Sequence, residues 1–193
     1  MDAMTCLLVR RSIGRLVDPA PDEAQLEMLL RAAVAAPDHG QLRPWRFVVF
    51  RGDGRRDLGA VFAQAHAARE PDSDIGALEK TAAKPLRAPL IVAVICRPVT
   101  ADQAWNGKHI PAWEQTAAVA AAAQNLCLAA HATGFGSMWR TGWYGEASEV
   151  RQALAMGERE QVVGWIYLGS VPDTATLVPR RPSPLADRVT TWR

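Results

Sequence analysis

The pattern of apolar and polar positions predicts a chain in which several helices alternate with a few strands. Five segments have apolar residues at helical spacing, and they cover residues 2–9, 22–36, 53–69, 75–83 and 146–156. Three apolar runs are typical of strands, and they cover residues 46–50, 88–96 and 161–169. The run at 88–96 is apolar at nearly every position, which predicts a strand buried on both faces. The mixture predicts the α+β class, with helices on both faces of one sheet.

The stretch 111–142 organises the rest of the chain. Its part 116–132 consists almost entirely of small apolar residues with no one-sided pattern, and this predicts a long buried helix. A membrane span is the alternative, but Gln124, Asn125 and His131 argue against contact with lipid. We expect Gly134 to end the helix and a short strand to follow at 137–142. Small side chains let other backbones approach closely, so the helix is expected to pack inside its own domain or against a second copy.

Length and composition predict one domain over residues 1–193. The chain is 49% hydrophobic and has a formal net charge of +2. No secretory signal and no convincing membrane span are visible, so we expect a cytoplasmic protein without a membrane partner. The basic residues are dispersed, which disfavours a nucleic-acid partner. The proline-rich tail 170–193 is expected to wrap around the body of the chain or around a partner subunit.

Common signatures for metals, nucleotides and hydrolases are absent from the sequence. The four histidines stand alone without a carboxylate at ligand spacing, so no metal site is predicted. Three cysteines without a CxxC pair are expected to be reduced core residues. GxGxxG, P-loop and GxSxG motifs do not occur.

Several polar segments are candidates for binding. Arg10, Arg11 and Ser12 follow the first helix, and two guanidinium groups beside a hydroxyl suit a phosphate, although a solvated turn is the common alternative. The loop 37–45 carries His39 and Arg43, which could equally be a helix cap and a surface charge. The polar loop 98–109 could be a lid over a site or a plain surface loop.

Four motifs, in order and in register, resemble the nitroreductase family. They are Arg10-Arg11-Ser12, the loop Ala36-Pro37-Asp38-His39 running into Arg43-Pro44-Trp45-Arg46-Phe47, Trp113-Glu114-Gln115, and Gly134-Phe135-Gly136 through Trp139-Arg140-Thr141-Gly142. The chain resembles the short, single-domain NAD(P)H nitroreductases from residue 1 to about residue 171. This resemblance implies a three-layer α-β-α sandwich with a central mixed sheet. It also implies a homodimer with two FMN sites in the interface.

The resemblance also implies which residues bind the cofactors. Arg10, Arg11 and Ser12 would hold the FMN phosphate and ribityl chain, and Ala35 and His39 would reach the cofactor, His39 from the loop of the partner subunit. Trp139, Arg140 and Thr141 would line the flavin ring, and Arg180 or Arg181 would complete the phosphate site. The nicotinamide nucleotide would bind at Ala129, Ala130, His131, Ala132, Thr133 and Gly134. Family members often have a basic residue where this chain has Gly14, so Arg11 or Arg140 is expected to supply the cation near flavin N1.

The implied reaction is an FMN-dependent transfer of hydride in a ping-pong sequence. NAD(P)H would give a hydride to flavin N5 and leave, and a nitroaromatic or quinone-like acceptor would take its place. No catalytic side chain is required, because the flavin carries the redox chemistry. Two alternatives remain open on the same scaffold: a flavin-binding protein without turnover by NAD(P)H, and a flavin-dependent dehalogenase or flavin-modifying enzyme.

Overall fold

The computed structural model describes residues 1–176 and 183–192. The helices are α1 (Ala3–Val9), α2 (Glu23–Ala33), α3 (Gly54–Arg69), α4 (Ile75–Ala82), α5 (Ala112–Ala132) and α6 (Ser148–Ala153). The strands are β1 (Trp45–Arg51), β2 (Leu90–Cys96), β3 (Gly136–Arg140) and β4 (Gln161–Gly169). Every predicted element is present, and the remaining differences are small shifts at the ends.

Aspartate side chains fix the starts of three helices. Asp2 accepts a hydrogen bond from the backbone N–H of Thr5, and Asp74 accepts one from Ala77. Asp22 and Gln25 bond to each other's backbone N–H, at 2.9 and 2.8 Å, and so form a capping box. These caps satisfy N–H groups that the helix itself cannot pair.

The sheet has the strand order β1-β2-β4-β3, and all three strand pairs are antiparallel. The prediction of a mixed sheet is therefore wrong. Among the described residues the one parallel pairing is an isolated bridge between Ser12 and Ser137. The physical reason is that the segment after α1 meets the outer edge of β3 over one residue only. That bridge nevertheless fixes the segment after α1 beside β3.

The two faces of β2 belong to two separate cores. Leu90, Val92 and Val94 pack with residues of α2 and α5. Ile91, Ala93 and Ile95 pack on the opposite face, with residues of α3 and α6. All seven residues of β2 are buried, as their continuous apolar run predicted. Helices therefore cover both faces of the sheet, and the three-layer sandwich is confirmed.

Helix α5 is buried on one side. Val119, Leu126 and Ala130 are fully buried against the sheet and α2. Within one chain most residues on the opposite side are half-buried, and Trp113 in the first turn is 71% exposed. In the part of the chain that the structure describes, no helix combines the length and apolarity that a membrane crossing requires.

All three cysteines are buried and unbridged, as predicted. Burial raises the pKa of the Cys96 thiol and of the Cys127 thiol. Both side chains therefore act as small core residues and stay protonated at neutral pH.

The described part of the tail lies uncovered on its own chain. Leu185, Val189 and Trp192 are 69%, 61% and 94% exposed. The body of the same chain therefore does not bury these apolar groups, and wrapping around a partner subunit stays a prediction. Arg180 and Arg181 lie outside the described residues.

We expect Gly59→Ala to lower the free energy of unfolding by about 1–3 kcal/mol, the usual cost of overpacking. Gly59 lies where α3 crosses α4, and a methyl group there would collide with the carbonyl oxygen of Ala82. Gly54, in the first turn of the same helix, has open space around it. Urea unfolding should show Gly54→Ala close to wild type, and equal midpoints for the two variants would contradict the packing described here.

Glu160 gives a pH-dependent contribution to stability. The side chain is 7% exposed and accepts from Arg46 at 3.1 Å, and it also pairs with Arg97. Burial by itself would raise the pKa of Glu160, but the hydrogen bonds from Arg97 and Gly157 and the charge of Arg46 lower it below the ordinary value. Because the folded-state pKa is lowered, the stabilisation is present above the ordinary carboxyl pKa and is lost as the pH falls through the folded pKa.

Glu160→Gln is therefore expected to lower the free energy of unfolding by about 3 kcal/mol at pH 7. The difference from wild type should shrink below about pH 4, where the carboxylate is protonated in the unfolded chain. Urea titrations at several pH values measure this, with Glu27→Gln as a surface control, since Glu27 is exposed. A difference that is independent of pH would show that charge does not account for the loss.

Candidate functional site

The segment that follows α1 carries the predicted phosphate-type residues. Arg10 caps the helix, and Arg11 Nη1 donates to the carbonyl oxygens of Leu8 at 3.1 Å and Val9 at 2.8 Å. Ser12 is exposed and pairs with Ser137 at the edge of β3. The structure thus brings two of the predicted motifs, from distant parts of the sequence, side by side.

A cavity of about 410 Å³ opens beside this segment, and we name it the arginine cavity. Its polar wall consists of Arg11, Ser12 and Arg15, together with Thr174 and Thr176 from the chain after β4. No carboxylate lies among its described lining residues. Guanidinium and hydroxyl groups without an acidic neighbour are the groups that hold a phosphate.

A second cavity of about 380 Å³ lies on the α3 side of the sheet, and we name it the aromatic cavity. Three cations line it, namely Lys84, Arg87 and Arg140, and Thr141 adds a hydroxyl. The rest of the wall is largely aromatic, with Phe62, Tyr144, Trp165 and Tyr167. Again, no carboxylate lies among the described lining residues. Flat apolar walls with cations suit a planar ligand that carries negative charge.

Arg140 connects the two cavities. Its Nη2 donates to the carbonyl oxygen of Gly14, in the wall of the arginine cavity, at 2.9 Å. Its guanidinium carbon lies 5.2 Å from the centroid of the Tyr167 ring. Its buried Nε has no hydrogen-bond partner among the described residues. Burial raises the pKa of Tyr167, although the charges of Arg140 and Arg87 oppose this, so the phenol is neutral at pH 7.

Trp139 and Arg140 point to opposite faces of β3. The indole of Trp139 packs into the core on the α5 side, and its Nε1 donates to the carbonyl oxygen of Val163 at 3.3 Å. It fits there because Gly164 has no side chain. Neighbouring side chains of a strand alternate between faces. The two side chains therefore leave the strand on opposite faces, although Trp139 also contributes to the wall of the aromatic cavity. That Trp139, Arg140 and Thr141 line the flavin ring stays a prediction.

His39 lies far from the arginine segment within one chain. Its Nδ1 lies 2.6 Å from a carboxylate oxygen of Glu114, in the first turn of α5. Arg10 is close to His131, in the last turn of α5, where its charge acts on that imidazole. At 1.5 Å per residue the two ends of this stretch are about 25 Å apart. Ala35 is exposed just beyond α2, so one chain does not bring all the predicted residues together.

The segment predicted for the nicotinamide nucleotide is the last turn of α5 and its cap. Ala130 is fully buried, and the hydroxyl of Thr133 donates to the carbonyl oxygens of Ala129 and Ala130. Burial lowers the pKa of His131, and the charges of Arg10 and Arg11 lower it further, so the imidazole is neutral at pH 7. The exposed groups are those at 132–134. The assignment stays a prediction, and of these six residues Ala130 alone is fully buried, while His131 also lines a small cavity.

A further cavity, of about 760 Å³, lies elsewhere on the chain. It is walled partly by the loop 98–109 and contains none of the predicted site residues. That loop is fastened to the turn after His39, because Trp105 Nε1 and Asn106 Nδ2 donate to the carbonyl oxygen of Gly40 at 2.8 and 3.2 Å. The loop therefore supports the position of His39.

Arg15, Lys84 and Arg87 are not among the site residues predicted from the sequence. Lys84 and Arg87 belong to a short 3₁₀ turn directly before the central strand β2. The sequence feature that could have drawn attention to them is a pair of basic residues on either side of Pro85, immediately before a buried strand. Because the order of the strands cannot be read from the sequence, nothing in it places this turn next to Arg140.

Comparison with known proteins decides the family. The model of the nitroreductase family matches residues 7–170 of the chain. The chain belongs to the nitroreductase family. Its relatives include YdjA of Escherichia coli strain K12, which is named as an NAD(P)H nitroreductase and is 39% identical over 170 residues, or 88% of each chain.

Solved structures of nitroreductases share this fold. A nitroreductase-like family protein from Bacillus cereus superposes with a TM-score of 0.82 at 20% identity, over 100% of this chain and 96% of that one. A mutant of NfnB from sphigopyxis sp. strain HMH, described as an FMN and NADPH-dependent nitroreductase, gives a TM-score of 0.73 at 21% identity, over 100% and 99% of the two chains. At this identity the likeness concerns the fold, and it confirms the nitroreductase-like sandwich.

Proposed function

We propose that this nitroreductase is an FMN-dependent enzyme that oxidises NAD(P)H and reduces nitroaromatic or quinone-like acceptors. The name of YdjA and the description of NfnB as FMN and NADPH-dependent support the choice of cofactors. The observation that carries the proposal is the junction at Arg140, where a cavity with phosphate-type groups meets a cavity with aromatic walls and cations.

These two cavities fit FMN, which has a phosphate at one end and a planar ring at the other. In the arginine cavity, Arg11, Ser12 and Arg15 would bind the phosphate through charge-assisted hydrogen bonds. Arg10 and the tail arginines Arg180 or Arg181 would add to this site. The buried, unpaired Nε of Arg140 among the described residues marks a polar group that a ligand can satisfy.

In the aromatic cavity, cations would compensate the negative charge of the reduced flavin ring. Lys84, Arg87 and Arg140 stand around it without a carboxylate among the described lining residues, and Thr141 lies beside them. They replace the basic residue that the family often carries at the position of Gly14. A fixed cation in a site shielded from water stabilises developing negative charge strongly. When bound, FMN supplies the redox chemistry, taking a hydride from NAD(P)H and giving it to the acceptor in a ping-pong sequence.

We propose a homodimer in which each FMN site uses residues of both subunits. His39 and Arg10 lie about 25 Å apart along α5 in one chain, so they can meet at one cofactor only if they come from different copies. The chain also exposes apolar groups that a second copy would cover, since Met4, Leu8 and Trp113 are 63%, 61% and 71% exposed. The tail from residue 170 would wrap around the partner in this arrangement.

The visible spectrum of the purified protein tests the proposal. We expect the visible absorption bands of bound flavin, their loss on anaerobic addition of NAD(P)H, and their return when a nitroaromatic is added. A colourless protein that does not take up FMN would refute the proposal. A bound flavin that NAD(P)H cannot reduce would favour a binding protein or one of the other flavin-dependent chemistries of this scaffold.

A further inference from the structure

The contact between His39 and Glu114 joins an exposed imidazole to a carboxylate that is held in place by a helix. Nδ1 of the imidazole lies 2.6 Å from Oε2 of the carboxylate. The side chain of Glu114 is 25% exposed and that of His39 is 63% exposed. Glu114 belongs to the first turn of α5, where the positive end of the helix dipole favours a negative charge. The helix thus holds the carboxylate in place.

The turn that carries His39 is held as well. Asp38 accepts a hydrogen bond from the backbone N–H of Arg43 at 2.6 Å, which closes the turn from one side. Trp105 and Asn106 donate to the carbonyl oxygen of Gly40 from the other side. Because the backbone is fastened at both ends, the short contact with Glu114 can fix the orientation of the imidazole.

A carboxylate only accepts hydrogen bonds, so the hydrogen of a neutral imidazole in this contact belongs on Nδ1. Nε2 then carries a lone pair and points away from Glu114. We propose that Glu114 is a positioning residue that holds His39 in this tautomer and presents Nε2 to the FMN of the partner subunit. The proposal rests on the function and the dimer proposed above, and it adds a residue to which neither assigns a role.

The first test reads the tautomer directly and needs no activity. Imidazole ¹⁵N signals of His39, recorded at a pH above about 8, where ordinary imidazoles are neutral, should show hydrogen on Nδ1. Glu114→Ala should shift the signals toward hydrogen on Nε2, whereas Glu114→Gln should keep the wild-type pattern because its side-chain carbonyl still accepts. His66, whose Nδ1 contacts the hydroxyl of Thr81 at 2.8 Å, is the internal reference. His39→Ala identifies the signals, and an unchanged pattern in Glu114→Ala would overturn the proposal.

The second test uses the FMN-loaded enzyme. Glu114→Ala and His39→Ala should each lower kcat/KM about 10-fold, and the double variant should lose no more than the single ones, because residues that act through one contact are not additive. Glu114→Gln should stay within about twofold of wild type, as should the exposed control Glu27→Gln. Losses that multiply would overturn the proposal.

The two tests separate this proposal from the proposed function. A protein with the predicted tautomer that binds no FMN refutes the proposed function, and with it the presentation of Nε2 to a flavin. A flavoprotein that NAD(P)H reduces but whose His39 lacks the tautomer refutes the role of Glu114 alone.

Discussion

Arg140→Ala is expected to bind FMN about 100-fold more weakly than wild type. The guanidinium joins the two cavities, donating to Gly14 in one and standing over Tyr167 in the other. Removing a charged hydrogen-bond donor costs about 1.5–3 kcal/mol, and each 1.4 kcal/mol is a factor of ten in affinity. Titration of the apo-protein with FMN, followed by quenching of flavin fluorescence, measures the change.

Two further variants make this result interpretable. Arg140→Lys keeps the charge and loses the planar fork of donors, so it should fall between Ala and wild type. Arg56→Ala removes an arginine that is 70% exposed on α3 and should leave FMN affinity unchanged. If Arg140→Ala bound FMN within threefold of wild type while remaining folded by circular dichroism, Arg140 would not belong to the cofactor site.

A mixed dimer of Arg140→Ala and His39→Ala subunits is expected to regain about half of the wild-type activity. In the proposed homodimer each site takes Arg140 from one subunit and His39 from the other. Each parent dimer therefore has two damaged sites, whereas the mixed dimer has one doubly damaged site and one intact site. If His39 and Arg140 of one subunit instead belonged to the same site, each site of the mixed dimer would lack one of the two residues, and no intact site would form.

The experiment needs two affinity tags, one on each variant, so that the mixed dimer can be isolated after co-expression. FMN content should be close to one per mixed dimer, and NAD(P)H oxidation with a nitroaromatic should follow it. A mixed dimer with only the average of the two parents' activities would show that His39 and Arg140 act within one subunit, or that His39 takes no part.

The layers of the fold were predictable because they depend on local patterns. The apolar run of β2 predicted burial on both faces, and its residues lie in two separate cores. Asp2, Asp22 and Asp74 precede apolar periodic segments and mark helix starts. The direction of strand pairing depends on contacts between distant segments, which the sequence pattern does not show. The sheet was therefore expected to be mixed, whereas its four strands are antiparallel and one isolated bridge is parallel.

The candidate site was predictable only in part. The segment at Arg10–Ser12 and the strand at Arg140 were found from their residue types and from the resemblance, and the structure places them together. Lys84 and Arg87 were missed because their position beside Arg140 depends on the strand order. The side chains of Trp139 and Arg140 lie on opposite faces of β3 because neighbouring residues of a strand alternate, and this was predictable from the assignment of the segment as a strand.

The hydrogen bonds of Arg11 link the beginning of the chain to anion binding. The guanidinium satisfies carbonyl oxygens at the end of α1, groups that a helix leaves without partners of its own. These bonds use Nη1, so an anion in the arginine cavity that binds the other N–H groups of the same guanidinium would hold the last turn of α1 more firmly in place. Order in the first ten residues and occupancy of the cavity are then thermodynamically coupled, and amide hydrogen exchange at Leu8 and Val9 would report ligand binding at a distance.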